Sequence, residues 1–337
     1  MEKTRVLVVD DEPRNVLLVR KILESQDCYI VDEAIDGEEA LRKLKCIKYD
    51  ALLTDWLMPK VNGADLIKRI RSELASPPYI VMITAIQSLQ AKDNILEIGA
   101  DEFISKPIRM KDFLVTLKDG LARRSQPLPK IQKINVPKKI VAPPFIAVVI
   151  ASSTGGYEAL IKLFSGNLSE KAAFFVAQHA PAETLRNITK KIKTLTNLDV
   201  HLARDAQKIN PGNVYIAPGD KHLCIKPNPL SISLNQDPKE NYVRPSADPL
   251  FRSAALTFGK CTLGIVLTGL GVDGTQGAAH IVAVGGEVLA QDPKSATAPS
   301  MPKNVILSGV NTDIVGLDEI NSKVESQLLK LTSNLTV

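Results

Sequence analysis

The stretch Phe145-Ile146-Ala147-Val148-Val149-Ile150-Ala151-Ser152-Ser153-Thr154-Gly155-Gly156 decides the fold of the larger half of this chain. Its first six residues form an unbroken apolar run rich in Val and Ile, the pattern of a strand buried on both faces in a parallel sheet. The run gives way to small residues and two glycines, and helix formers follow over 157–164. A strand that turns sharply into a helix is the repeating unit of a doubly wound α/β sheet, whose ligands gather outside the carboxyl ends of the strands. Here the turn leaves a serine hydroxyl at a helix N-terminus, where free N–H groups and the helix dipole favour a developing oxyanion. Taken alone, the same residues also read as an ordinary Ser/Thr helix cap.

Working outward, further strands are predicted over 173–177, 213–217, 264–268 and 287–290, with helices over 183–193 and 275–284 and a small β excursion over 222–241. Upstream, residues 121–144 carry Pro127, Pro129, Pro137, Pro143 and Pro144 and read as a semi-extended linker, since prolines stiffen the chain and remove backbone donors. Before it, predicted strands over 5–9, 29–31, 50–54, 79–84 and 102–105 alternate with helices over 15–24, 38–45, 64–73, 89–98 and 110–121. The expected architecture is therefore two doubly wound α/β domains, 1–120 and 145–337, joined by the 121–144 linker, the first flavodoxin-like and the second Rossmann-like.

Composition agrees with this. The chain has 337 residues, 45% hydrophobic and 23% charged, enough apolar content for two cores. No apolar run approaches the roughly 20 residues of a membrane span. The N-terminus reaches the acidic pair Asp10-Asp11 without a signal-peptide core. Cys28, Cys46, Cys224 and Cys261 lie far apart and read as reduced thiols. A cytoplasmic protein is expected. Net charge is +5, and residues 119–144 alone hold six Lys/Arg against Asp119, so neither folded half has the basic surface of a nucleic-acid binder.

In the first half, Asp10 and Asp11 follow the first predicted strand, Asp55 the third, Thr84 the fourth and Lys106 the fifth. Single aspartates at strand ends are often only turn formers. Five groups on one edge are different: three carboxylates call for a hard divalent cation, most naturally Mg²⁺, and the cation with the lysine would stabilise charge at a reacting phosphoryl group. These residues resemble the response-regulator receiver domain over about 120 positions, in Val8-Val9-Asp10-Asp11-Glu12-Pro13, Thr54-Asp55-Trp56-Leu57-Met58-Pro59, Asn62-Gly63, Thr84-Ala85 and Lys106-Pro107. The resemblance implies that a histidine kinase phosphorylates Asp55, that Asp10, Asp11 and Asp55 hold Mg²⁺, and that Thr84 and Lys106 contact the phosphoryl group. It also implies a cis peptide before Pro107.

In the second half, His179 follows the strand predicted over 173–177 and Asp273 lies in Thr268-Gly269-Leu270-Gly271-Val272-Asp273-Gly274 after the one over 264–268. Ser, His and Asp at three parallel strand ends can meet, with His179 taking the serine proton and Asp273 fixing its tautomer. The chain order and the lack of G-x-S-x-G match no familiar serine hydrolase fold. A competing reading takes Gly269, Gly271 and Gly274, with Asp292, as a dinucleotide fingerprint; against it, Asp273 would set negative charge beside a pyrophosphate.

Over about 190 residues this half resembles the chemotaxis response-regulator protein-glutamate methylesterases of the CheB type. The resemblance rests on Ser153-Thr154-Gly155-Gly156, Gln178-His179, the 211–219 stretch from Pro211-Gly212 to Pro218-Gly219, His222, Arg244-Pro245-Ser246-Ala247-Asp248-Pro249-Leu250-Phe251, the 267–274 stretch, Ala290-Gln291-Asp292 and Met301-Pro302. It implies Ser153 as nucleophile, His179 and Asp273 completing the triad, oxyanion support from the Leu270 backbone and Thr154, and no cofactor for ester hydrolysis. The implied reaction converts glutamate γ-methyl esters on chemoreceptors to glutamate and methanol, with glutamine deamidation as a second activity. Phosphorylation at Asp55 is expected to relieve a receiver covering the catalytic face. The pattern is departed from at Ala151-Ser152, expected to tighten the turn, at Ala180 and the residues after it, and at Leu270. An alternative is a phosphorylation-dependent adaptor that keeps the fold without the catalysis.

Overall fold

A computed structural model describes residues 3–74, 76–85, 98–131, 134–136, 140 and 142–333. The chain divides into two units, Met1–Ser125 and Gln126–Val337.

The first unit is a five-stranded sheet in the order β2-β1-β3-β4-β5, built from β1 (Thr4–Val9), β2 (Tyr29–Ala34), β3 (Ala51–Asp55), β4 (Tyr79–Thr84) and β5 (Glu102–Ser105). Every pairing is parallel. The helices α1 (Pro13–Glu24), α2 (Gly37–Cys46), α3 (Gly63–Glu73) and α4 (Met110–Ser125) pack on it. Asp36 and Asn62 cap α2 and α3 by accepting from the Glu39 and Asp65 N–H groups. The helix expected over 89–98 lies almost wholly outside the described residues. α4 continues to Ser125, five residues into the stretch read as linker, because its last turns keep helix-forming Leu, Ala and Arg.

The second unit holds a seven-stranded sheet in the order β14-β13-β12-β6-β7-β9-β8. Its strands are β6 (Ile146–Ser152), β7 (Ala172–Gln178), β8 (Asp199–Leu202), β9 (Asn213–Ile216), β12 (Thr262–Val266), β13 (Glu287–Gln291) and β14 (Asp313–Val315), all paired in parallel. The excursion after β9 is an antiparallel hairpin of β10 (His222–Pro227) and β11 (Leu230–Asn235). The helices are α5 (Gly156–Phe164), α6 (Ala182–Lys193), α7 (Ala247–Phe258), α8 (Thr275–Ala283), α9 (Ser300–Leu307) and α10 (Ile320–Ser333). Strand alternation divides the core: Ala147, Val149 and Ala151 of β6 face Phe251, Ala254 and Ile281, whereas Ile146, Val148 and Ile150 face Leu160, Leu163, Ile188 and Leu328. Burying each such large apolar side chain contributes about 1.5–3 kcal/mol. Strand β6 runs two residues further than its apolar run, to Ser152, and Ala151 pairs with both Val266 and Ala177 inside the sheet. The tightening expected of Ala151 therefore falls on a packed strand, not on the turn.

Candidate active site

Ser152 of β6 pairs in register with Gln178 of β7. The next residues, Ser153 and His179, therefore leave the sheet side by side, with the His179 N–H donating to the Ser152 carbonyl at 3.0 Å. β6 is also where the winding reverses, with β7 on one side and β12 on the other, so Ser153 stands in the crevice that such a reversal opens. The turn after Ser153 depends on Gly155, at φ +73°: a side chain there would put its Cβ 2.5 Å from Thr297. Gly269 is similarly confined, because a Cβ would lie 2.7 Å from that of Ser153.

Gln178 holds this corner together. Its Oε1 accepts from the Ser152 hydroxyl at 2.5 Å, and its Nε2 donates to the Ser153 carbonyl at 3.0 Å and the His179 carbonyl at 3.1 Å. One buried amide thus grips the strand ends of both neighbours.

Asp273, between β12 and α8, is 1% exposed yet fully solvated by protein donors. Its Oδ1 accepts from Asn241 Nδ2 at 2.9 Å, Ser246 Oγ at 2.6 Å and the Asp248 N–H at 3.2 Å. Its Oδ2 accepts from His179 Nε2 at 2.7 Å and the Ala247 N–H at 2.6 Å. Ala247 and Asp248 open α7, so the carboxylate sits on that helix's N-terminus and gains from its dipole. Burial pushes the Asp273 carboxyl up, but the bonds from His179, Ala247 and Ser246 outweigh it and hold the group below the ordinary aspartate range. Because an ionised carboxylate only accepts, His179 Nε2 is the donor, and in the neutral ring the lone pair is then on Nδ1. That Nδ1 is buried and has no hydrogen-bond partner among the described residues. The Ser153 hydroxyl makes no hydrogen bond among them either, a looseness common in catalytic pairs before substrate binds. The structure therefore joins His179 to Asp273 directly and sets Ser153 beside them without a bond. The N–H groups of Thr154 and Leu270 also make no hydrogen bond among the described residues, leaving two donors near the Ser153 turn.

In the first unit, Asp10, Asp11 and Asp55 each present a carboxylate oxygen within 4.8 Å of the others. Lys106 Nζ lies 3.1 Å from Asp10 Oδ2 and 3.0 Å from Asp55 Oδ1. Thr84 closes β4 next to this lysine, its carbonyl accepting the Lys106 N–H at 2.8 Å, and the Lys106–Pro107 peptide is cis. Partial burial raises the Asp55 carboxyl above the ordinary range, and Lys106 offsets that only in part. An all-oxygen cluster this close suits one hard divalent cation.

The family model of the CheB methylesterase matches residues 148–324, and that of the response regulator receiver domain matches residues 6–118. A protein-glutamate methylesterase/protein-glutamine glutaminase of Pyrococcus abyssi is 35% identical, covering 96% of this chain and 93% of the relative. A Caulobacter vibrioides relative of the same name, numbered 2, is 33% identical over 96% of this chain and 98% of its own. The crystal structure of the Thermotoga maritima CheB methylesterase catalytic domain matches with a TM-score of 0.52 and 34% identity, covering 54% of this chain and 98% of that one. The chain belongs to the CheB methylesterase family.

Membership leaves no room for the dinucleotide reading, and the geometry gives the physical reason. In this CheB-family chain the Gly271 N–H is bonded to Ser300 Oγ at 2.9 Å, and the Gly277 N–H in the first turn of α8 is taken by Asp248 Oδ1 at 2.7 Å. The seat a pyrophosphate needs is filled by a carboxylate. Leu270 enters the site through its backbone N–H, which makes no hydrogen bond among the described residues. Ala180 packs partly against the core and Pro181 precedes α6, so the altered segment shapes the rim beside His179. Sequence reasoning missed Asn241 and Ser246 as supports of Asp273. Ser246 lay within a quoted motif, and Asn241 carried only the signal that asparagine tolerates left-handed backbone.

Proposed function

We propose that this chain is a protein-glutamate methylesterase and protein-glutamine glutaminase acting on chemoreceptors in the cytoplasm, with Ser153, His179 and Asp273 as its triad. Residues 1–120 serve as the signal-receiving domain, 121–144 as linker and 145–337 as the catalytic domain. The observation that carries this reading is the 2.7 Å bond between His179 Nε2 and Asp273 Oδ2 beside Ser153 at the winding reversal. Ser153 Oγ attacks the ester carbonyl carbon and passes its proton to His179 Nδ1. The Leu270 N–H and Thr154 steady the oxyanion, and methanol leaves with the proton from Nδ1. Water then gives a proton to Nδ1 as its oxygen attacks the acyl carbon, and that proton passes to the departing Ser153 Oγ, freeing glutamate. A γ-amide follows the same path with ammonia as the leaving group.

Asp55 is the residue a histidine kinase phosphorylates. Asp10, Asp11 and Asp55 would hold Mg²⁺, which when bound neutralises charge at the reacting phosphoryl group. Lys106 and Thr84 contact that group, and phosphorylation raises esterase activity. Methanol release from methylated receptor membranes tests the reading: Ser153→Ala abolishes it and also abolishes labelling by a fluorophosphonate. Unchanged release in that variant refutes the esterase, and a wild-type chain that is never labelled favours the adaptor.

A further inference from the structure

Behind Asp273 lies a second buried carboxyl, Asp248, also 1% exposed. The two are arranged reciprocally. Asp273 caps α7, the helix that carries Asp248, while Asp248 Oδ1 accepts the Gly277 N–H in the first turn of α8, the helix that Asp273 leads into. Asn241 stands between them, its Nδ2 donating to Asp248 Oδ2 at 2.7 Å and to Asp273 Oδ1 at 2.9 Å.

We propose that Asn241 is a positioning residue of the esterase, its amide bridging the two carboxyls so that Asp273 stays aimed at His179. The proposal rests on the triad reading above. Two buried like charges repel strongly unless something polar intervenes. The other charged groups here do not supply it: Arg252 is held by Glu240 through contacts of 2.6 and 2.7 Å, and Glu240 only adds negative charge. His222 accepts the Ser246 N–H on Nδ1 at 3.1 Å and donates from Nε2 to the Pro238 carbonyl at 3.2 Å, which makes it neutral. His179 is shared with the reaction itself. Asn241 and Tyr242 both adopt left-handed backbone, at φ 55° and 66°, a pair of conformations kept only where the surroundings demand them. Burial and the Asp273 charge both push the Asp248 carboxyl up and the Asn241 amide draws it down, so without the bridge Asp248 keeps its proton to higher pH. A hydroxyl on Asp248 in place of the fixed amide lets the Asp273 carboxylate turn away from the imidazole.

Asn241→Gly removes the amide while keeping a residue at ease in left-handed backbone. The readout is the rate of fluorophosphonate labelling of Ser153 in the full chain across pH, with the thermal midpoint measured alongside. Asn241→Gly slows labelling by on the order of ten- to a hundredfold and moves the acid limb of the profile to higher pH. Adding Asp248→Asn removes one carboxylate and moves the limb back toward wild type. A folded Asn241→Gly protein with the wild-type rate and limb overturns the proposal, as does a limb that the double substitution fails to restore. If Asn241→Gly does not fold, Asn241→Ser, with a single donor, is read in the same way. A wild-type chain that is not labelled at all overturns the serine esterase itself and this proposal with it.

Discussion

Asp55 and Asp273 are both aspartates at the carboxyl edge of a parallel sheet, beside the strand at which the winding reverses, yet their surroundings differ. Asp273 is enclosed and receives five hydrogen bonds, so its charge is fully met before any substrate arrives. Asp55 is partly open, shares one lysine with Asp10, and has Asp11 close by. One carboxylate is finished and the other awaits a cation and a phosphoryl group. Sheet topology fixes where a polar group stands, and the local donors decide whether it serves as a fixed part or as a switch.

The sharpest way to break this contrast is Asp273→Asn. It is expected to lower methyl-ester turnover by on the order of 10⁴-fold, the size of the corresponding change in a serine protease triad, whereas Asp55→Asn leaves basal turnover intact. Methanol release measured without phosphodonor checks both. Next in size, Asp55→Asn removes all stimulation by a small-molecule phosphodonor, and chelating Mg²⁺ does the same to the wild-type chain without lowering basal hydrolysis. Equal stimulation of variant and wild type would erase the distinction between the sites.

Stability offers a third test, since the two groups are displaced in opposite directions. Asp273 is held low, so its contribution is present above the unfolded value near 3.9 and is lost as pH falls through the folded value. Asp55 is raised, so the folded chain gains stability as pH falls toward its value, and its charge works against folding at neutral pH. Calorimetry of the full chain at pH 7 in chelator should therefore show a higher midpoint for Asp55→Asn. For Asp273→Asn it should show a loss of about 1–3 kcal/mol, because the new amide leaves buried donors unmatched. The smallest effect expected is none: neutralising Lys130, Lys133, Lys138 and Lys139 should leave basal ester hydrolysis unchanged, since none of these side chains is among the groups assigned to either site. A measurable fall in methanol release would give those lysines a role.

Much of this was legible in the chain. Apolar runs such as 146–150 and 79–84 mark strands buried on both faces, and polar residues just beyond them mark the edge where chemistry collects. The short edge strands Asp199–Leu202 and Asp313–Val315 were not seen, because a few residues half open to solvent carry too little pattern. Helix Ala247–Phe258 was hidden by Pro245 and Pro249, which read as loop punctuation although a proline in the first turn of a helix sacrifices no bond. That His179 would present Nε2 and not Nδ1 to Asp273 depends on a side-chain rotation that no spacing encodes. Asn241 lies 32 residues from Asp273, and only the folded path of the hairpin and α7 brings them together.

The amide of Gln178 has a wider consequence. By fastening the serine's strand to the histidine's strand it forbids the two from drifting apart, so the ends of β6 and β7 move as one piece.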